Sequence, residues 1–246
     1  METAEIICWH IYHSGSAVLN KKNNTLHIFD YYKQKNDKFP EEWLQNQQIE
    51  STFIHVTHGH SDHYNPNIFR WQDMLPRVNY VLSSDLKNIT KKFQKQADSL
   101  NFLQKGDNLV LADTEIQAFT STDEGVSLLV KDKNLSIFFS GDLNWWAWKS
   151  FSEQERKREA REYKQVIDKL STKKIDLAFV PVDPRLEENY YLAGEYFLEK
   201  VKPGVMVPIH MGDDYSIVSK FIDDHSVDNI QIAKINRPGQ KFKFNL

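Results

Sequence analysis

"THGHSDH", residues 57–63, places three histidines and an aspartate within seven positions of a 246-residue chain that has only nine histidines. Packing gives no reason for imidazoles to recur two and then three residues later, whereas a divalent metal site does. In an extended or gently curved backbone, His58 and His60 point the same way because side chains alternate. Asp62 and His63 follow where the chain can curl, which brings a carboxylate and a third imidazole to the other side of one small cavity. Two imidazoles facing that pair suit two adjacent divalent ions.

A metal site needs ligands from elsewhere, and two stretches share the right local setting. "SIFFSGDLN" ends an apolar strand at Gly141-Asp142, and "GVMVPIHMGDD" ends another at His210, close to a glycine. An acid or imidazole at the carboxyl end of a buried strand, beside a glycine that admits close approach, is a ligand placement. Each signal is weak alone. Their order after the histidine-rich loop makes the set specific.

The elements around these stretches are mostly short strands. "IICWHIY", "SAVLN", "TLHIFDYY" and "STFIHVTHGH" are rich in β-branched and aromatic residues and are divided by Ser-Gly and Lys-Asn-Asn turns. Helices are predicted over 65–75 and 83–96. Strands return as "NLVLAD", "TEIQAFTS", "GVSLLVKD" and "LSIFFSGD", with Asp-Lys-Asn as a hairpin turn. Residues 152–174 predict a helix whose mixed charges form a solvated face and whose Ala160, Tyr163, Ile167 and Leu170 form an apolar one. The last quarter alternates strand and helix: strands at 176–183 and 205–210, helices at 191–201 and 215–225, and closing strands at 229–235 and 241–246. Two stretches of strands, each followed by helices, predict two sheets packed face to face with helices outside, in one mixed α/β domain over 1–246.

Composition limits the function classes. Forty per cent hydrophobic residues, with fifteen Phe, ten Tyr and six Trp, supply an ample core. A formal charge of -3 and a pI near 6.3 provide no electrostatic footprint for nucleic acid or an anionic membrane. Cys8 is the single cysteine, so neither an internal disulfide nor a thiolate metal cluster can form. The acidic start and polar interruptions of "METAEIICWHIYHSG" do not read as a signal peptide, and no apolar run approaches the roughly 20 residues of a membrane span. A cytoplasmic protein with a small-molecule substrate is the expectation. Oligomeric state leaves no signal in the sequence.

The set His58-x-His60-x-Asp62-His63, then Asp142, then His210, resembles the metallo-β-lactamase superfamily of binuclear metal hydrolases. "YHSGSAVL" followed by "IFDYY", together with "GDLNWW" and "PVDPRL", looks most like the branch that includes ascorbate-phosphate lactonases. The resemblance spans essentially the whole chain. It implies a four-layer αββα sandwich and one or two divalent ions, zinc first, with manganese or iron as alternatives. Asp30 resembles an aspartate that supports the metal loop without ligating.

The chain departs from the superfamily at one point. Members usually carry a further histidine between the metal loop and the Gly-Asp, whereas no histidine occurs from residue 64 to residue 209. Ser121 aligns there, with Asp123 or Glu124 as substitute oxygen donors. One metal position, from His58 and His60, is therefore a ligand short; the other, from Asp62, His63 and His210 with Asp142 bridging, is complete.

The implied reaction is hydrolysis of a small ester, lactone or phosphodiester by a metal-bound hydroxide, oriented by Asp62 or Asp142. The rival is a degenerate metal-binding protein of the same fold, a sensor or scaffold without turnover. Trp145 and Trp146 are candidates for a pocket wall. Arg185 is a candidate for gripping an anionic substrate group or, equally, for pairing with Asp183 or Asp142. His13 resembles an early histidine of the lactonase-like branch. A buried structural role is the expectation for it, and for His10, His27, His55 and His225.

Overall fold

The computed structural model describes residues 5–32, 39–40, 42–44, 46–93 and 99–246. In chain order these form β1 (Glu5–Tyr12), β2 (Gly15–Asn20), β3 (Thr25–Phe29), β4 (Ser51–Val56), β5 (Val78–Ser83), β6 (Leu100–Leu103), β7 (Asn108–Leu111), β8 (Thr114–Thr120), β9 (Val126–Asp132) and β10 (Leu135–Phe139). After them come α1 (Glu153–Leu170), β11 (Leu177–Pro181), α2 (Leu192–Val201), β12 (Val205–Ile209), α3 (Ser216–His225), β13 (Gln231–Ile232) and β14 (Gln240–Asn245). The chain packs as two compact units, Met1–Leu103 with Pro238–Leu246, and Gln104–Arg237. No helix among the described residues is long and apolar enough to cross a membrane.

The first unit is a seven-stranded sheet in the order β14-β1-β2-β3-β4-β5-β6. It is antiparallel through β3 and parallel from β3 to β6. One face buries Trp9, Leu19, Leu26, Ile28, Ile54 and Val56 together with Phe69 and Trp71. The period-2 alternation sends His27, Phe29, Phe53 and His55 to the opposite face, where His27 Nδ1 lies 3.1 Å from His55 Nε2 and the rings stack.

The second unit is also seven-stranded, in the order β13-β12-β11-β10-β9-β8-β7. Its antiparallel half is β7 to β10 and its parallel half β10 to β13. Lys133, at φ +53, turns the hairpin between β9 and β10 as the Asp-Lys-Asn signal predicts. Helix α1 begins at a capping box: Ser152 Oγ accepts from Glu155 N at 3.3 Å, and Ser152 N donates to Glu155 Oε2 at 2.7 Å. Its Tyr163, Val166, Ile167 and Leu170 pack with Phe197 of α2 and Phe221 of α3 against Phe138, Ala178 and Met206 of the sheet.

Gly194 admits α3 to α2, because a Cβ there would meet Phe221 Cζ at 2.6 Å. Gly194→Ala should lower stability by about 1–3 kcal/mol through overpacking, although alanine has the higher helix propensity. A thermal melt checks this: a Tm equal to wild type would mean that the contact yields without cost.

Two predicted helices differ from what is observed, and two strands were not predicted. Pro66–Asp73 is a 3-10 helix, capped by Asn65, whose side chain accepts from Asn67 N. Its buried Ile68 and Trp71 lie three apart, the repeat of the tighter helix. Residues 83–96 form only short 3-10 turns at Ser84–Lys87 and Lys91–Phe93, while 94–96 lie outside the described residues. Strands β5 and β6 carry no strong alternation. They form because parallel pairing with β4 completes their hydrogen bonds.

Candidate metal centre

In the first unit the site residues lie just past the carboxyl ends of the parallel neighbours β3 and β4, where a sheet offers side chains to a ligand. Asp30 follows β3 at φ +42 and is fully buried. Its Oδ1 accepts from Thr57 N at 2.8 Å and its Oδ2 from Thr57 Oγ1 at 2.6 Å; Oδ2 also lies 2.8 Å from His63 Nδ1. The aspartate accepts, so the Nδ1 proton of His63 points to it and Nε2 carries the lone pair.

Thr57 extends the same logic to His58. The hydroxyl hydrogen is committed to Asp30, so Thr57 Oγ1 accepts from His58 Nδ1 at 3.1 Å. The Nε2 of His58 then bears a lone pair, 3.0 Å from His60 Nδ1. From residue 60 the backbone makes one turn, with His63 N and Tyr64 N donating to His60 O at 3.0 and 2.9 Å. This curl returns Asp62 and His63 toward His58, whose ring centroid is 4.1 Å from that of His63. Gly59 N donates to Asp85 Oδ2 at 2.8 Å and anchors the loop. His58 and His63 are fully buried, whereas His60 is exposed and Asp62 half-exposed.

His13 belongs to this cluster. It occupies the turn between β1 and β2 at φ +54, with Nε2 3.4 Å from Asp62 Oδ2. The same oxygen is 3.9 Å from His63 Nε2. His13 beside it holds the Asp62 carboxyl well below the usual carboxylate range, against an opposing push from burial.

In the second unit the candidates follow β10, β11 and β12, which are parallel neighbours. Ser140 to Leu143 make a tight turn, with Leu143 N donating to Ser140 O at 3.0 Å and Gly141 at φ +53, a conformation glycine adopts without penalty. Asp142 is buried at this turn. Thr122 Oγ1 pins the next segment, donating to Asn144 O at 2.6 Å and accepting from Asn144 N at 2.9 Å. His210 follows β12 at φ +70, with Nε2 3.2 Å from Asp142 Oδ1 and Nδ1 3.1 Å from Asp183 Oδ2. Burial alone would lower the His210 pKa, but Asp142 and Asp183 raise it above its ordinary value.

Arg185 takes the second of its two expected roles. Its Nε donates to both oxygens of Asp183, at 3.0 and 3.1 Å, and its Nη2 donates to Oδ2 at 2.7 Å. Burial pushes the Asp183 carboxyl up, but His210 and Arg185 outweigh burial and hold it at about 2. A depressed carboxyl contributes stability that is complete above the unfolded pKa near ~4 and is lost as pH falls through the folded value. The stability gap between wild type and Asp183→Asn should therefore shrink by about 2 kcal/mol between roughly pH 4 and 2, as read by urea melts across that range. A constant gap would mean that Asp183 titrates normally.

The tryptophans separate. Trp146 meets His210 edge-on at 5.9 Å and stacks on Trp148 at 5.6 Å, while Arg185 lies 5.6 Å from the Trp148 centroid. Trp145 instead packs among Tyr163 and Tyr196 beneath Lys164, which makes it a packing residue of the helical layer. Ser121 directly follows β8, and its Oγ accepts from Asp123 N at 3.2 Å. Asp123 and Glu124 are exposed, and neither joins a cluster of metal-competent side chains among the described residues.

The other histidines occupy packing positions. Burial first, with His13 adding, pushes the His10 pKa down to about 3, so it is a neutral core ring. His225 pairs with Glu195 at 3.0 Å and stacks on Tyr191. His13, Thr57 and Trp148 are the site residues that sequence reading undervalues. For His13 the signal was its resemblance to an early histidine of the lactonase-like branch, set just before a Ser-Gly turn.

No protein-family model matches the chain. A protein of Staphylococcus epidermidis named a UPF0173 metal-dependent hydrolase is 23% identical over 256 residues, covering 95% of this chain and 98% of that one. Igni18, a metallo hydrolase from Ignicoccus hospitalis, superposes with a TM-score of 0.67 at 13% identity, over 98% of this chain and 99% of its own. The metallo-β-lactamase fold protein YhfI from Bacillus subtilis superposes with a TM-score of 0.60 at 11% identity, over 98% and 100%. The chain has the metallo-β-lactamase fold.

Proposed function

We propose that this chain, built on the metallo-β-lactamase fold, is a metal-dependent hydrolase of small ester, lactone or phosphodiester substrates. Its relative in Staphylococcus epidermidis is named for metal-dependent hydrolysis, which supports the class. The observation that carries the reading is the tautomer lock at the metal loop. Asp30 and Thr57 occupy Nδ1 of His63 and of His58, so two buried imidazoles each keep an Nε2 lone pair in one loop. Buried imidazoles with one nitrogen held by an oxygen and the other turned into the loop are placed as a cation requires of its ligands.

The donor set fits a divalent cation. His58 Nε2 and His60 Nδ1 are 3.0 Å apart, a hydrogen bond that holds the two rings within reach of one ion. His58, His60, Asp62 and His63 would hold an ion in the first unit, and Asp142 and His210 are the candidate ligands of the second. Imidazoles in excess of carboxylates favour zinc; manganese or iron would answer to the oxygens. A bound cation supplies Lewis acidity, acidifying water and polarising the bond to be broken.

The chain's own groups do the rest. Asp62, kept ionised beside His13, would orient the attacking water as a hydrogen-bond acceptor. Asp142 offers a second carboxylate, and Asp183 fixes the His210 ring that faces it. Trp146 supplies an apolar wall beside His210. Arg185 pairs with Asp183 through Nε and Nη2 while its side chain stays about half exposed, so the guanidinium can also face an anionic substrate group.

Elemental analysis of the purified chain, followed by lactone, thioester and phosphodiester panels on metal-replete protein, tests the proposal. Bound divalent metal with metal-dependent turnover is expected. Bound metal with no turnover on any panel would favour the sensor or scaffold, a reading prompted by the serine at position 121.

A further inference from the structure

The chain lacks the imidazole that would complete the His58–His60 position, and neither Asp123 nor Glu124 joins a metal-competent cluster in the second unit. An extra imidazole does stand in the first unit, but beside Asp62 and His63. We propose that His13 is itself a metal ligand, so that His13, Asp62 and His63 bind one tight cation, while His58 and His60, short of a third nitrogen, bind a second one weakly. This rests on the metal-dependent reading above.

The spacing argues for ligation. His13 Nε2 lies 3.4 Å from Asp62 Oδ2, and His63 Nε2 lies 3.9 Å from the same oxygen. Both separations exceed the 2.7–3.2 Å usual for N–H···O hydrogen bonds. Both lie above the roughly 3.3 Å edge of N and O donors sharing a tetrahedral cation at about 2.0–2.2 Å, and within the 4.8 Å over which His13, Asp62 and His63 group as donors, so a small closure would bring all three onto one ion.

The hairpin gives His13 no structural reason to be there. Residues 13 and 14 turn β1 into β2, and at φ +54 glycine or asparagine carries less strain than histidine. His13 is nevertheless almost buried, with its ring 5.9 Å from that of His63 and edge-on to it. Its imidazole is thus directed at the metal loop from a position whose backbone would be better served by another residue.

Backbone preference also supplies a usable variant, because glycine suits φ +54 and relieves strain there against the loss of the ring's packing, so His13→Gly should still fold, as a thermal melt checks. Metal-depleted full chain is titrated with Zn²⁺ by calorimetry, and the Co²⁺-substituted protein is read by visible absorption. Wild type should take up one tight equivalent and one weaker. His13→Gly should lose the tight equivalent by more than the about 10–100-fold that removing an outer-shell partner costs, and should shift the Co²⁺ bands. Added imidazole should restore both. The double variant His58→Ala, His60→Ala should keep the tight equivalent and lose the weak one. The assignment is overturned if His13→Gly retains tight Zn²⁺ with an unchanged Co²⁺ spectrum, or if the double variant loses the tight ion. Wild type that binds no Zn²⁺ or Co²⁺ would instead remove the metal-dependent reading itself, and this inference with it.

Discussion

His63→Ala should leave the protein folded but empty of its tight cation and without hydrolytic activity. The side chain is fully buried, with Nδ1 held 2.8 Å from Asp30 and Nε2 3.9 Å from Asp62. Its removal deletes a nitrogen donor and leaves Asp30 buried without one of its partners. The stability loss from that lost partner should be about 1–3 kcal/mol. The loss in metal affinity should exceed the about 10–100-fold typical of outer-shell changes, because here a ligand is gone. Metal content after gel filtration, measured beside a thermal melt, separates the two effects. Full metal occupancy in a folded His63→Ala protein would refute the proposed centre.

The second large effect is expected at Asp30, through a different cause. Asp30→Ala removes three interactions at once: those to Thr57 N, Thr57 Oγ1 and His63 Nδ1. Thr57 N would be left as a buried donor without its acceptor, at a cost of about 1–3 kcal/mol, and the charge-assisted bonds add to it, for a total near about 4 kcal/mol. Asp30→Asn tests the tautomer lock without that penalty. Asparagine can still accept from Thr57 N through its oxygen, but it presents an N–H where Oδ2 stood. His63 Nδ1 would then accept, its proton would move to Nε2, and the lone pair a metal needs would be blocked. The expected result is a nearly normal melting temperature with metal affinity reduced about 10–100-fold. Unchanged affinity in Asp30→Asn would mean that Asp30 serves folding alone.

Much of this was legible in the sequence. The spacing of His58, His60, Asp62 and His63 announced candidate ligands because a strand running into a turn is a local event, contained in seven residues. Strands ending at Asp142 and His210 were legible for the same reason, as was helix α1 with its Tyr163–Ile167–Leu170 stripe. β5 and β6 were missed because parallel strands take their hydrogen bonds from neighbours distant in sequence. The pair Trp145 and Trp146 shows the limit most sharply. Adjacent and chemically identical, they point to opposite tasks, one packed with Tyr163 and Tyr196 and the other set edge-on to His210.

The sequence alone therefore determined which residues could ligate, since ligand chemistry and short-range spacing are properties of the chain. Which nitrogen of each ring bears its proton, whether Arg185 pairs with Asp183, and whether His13 reaches Asp62 were decided only by tertiary structure. Those questions turn on separations near 3 Å between groups up to dozens of residues apart. Only the packing of strand ends within each sheet brings such groups within hydrogen-bonding or ligating range.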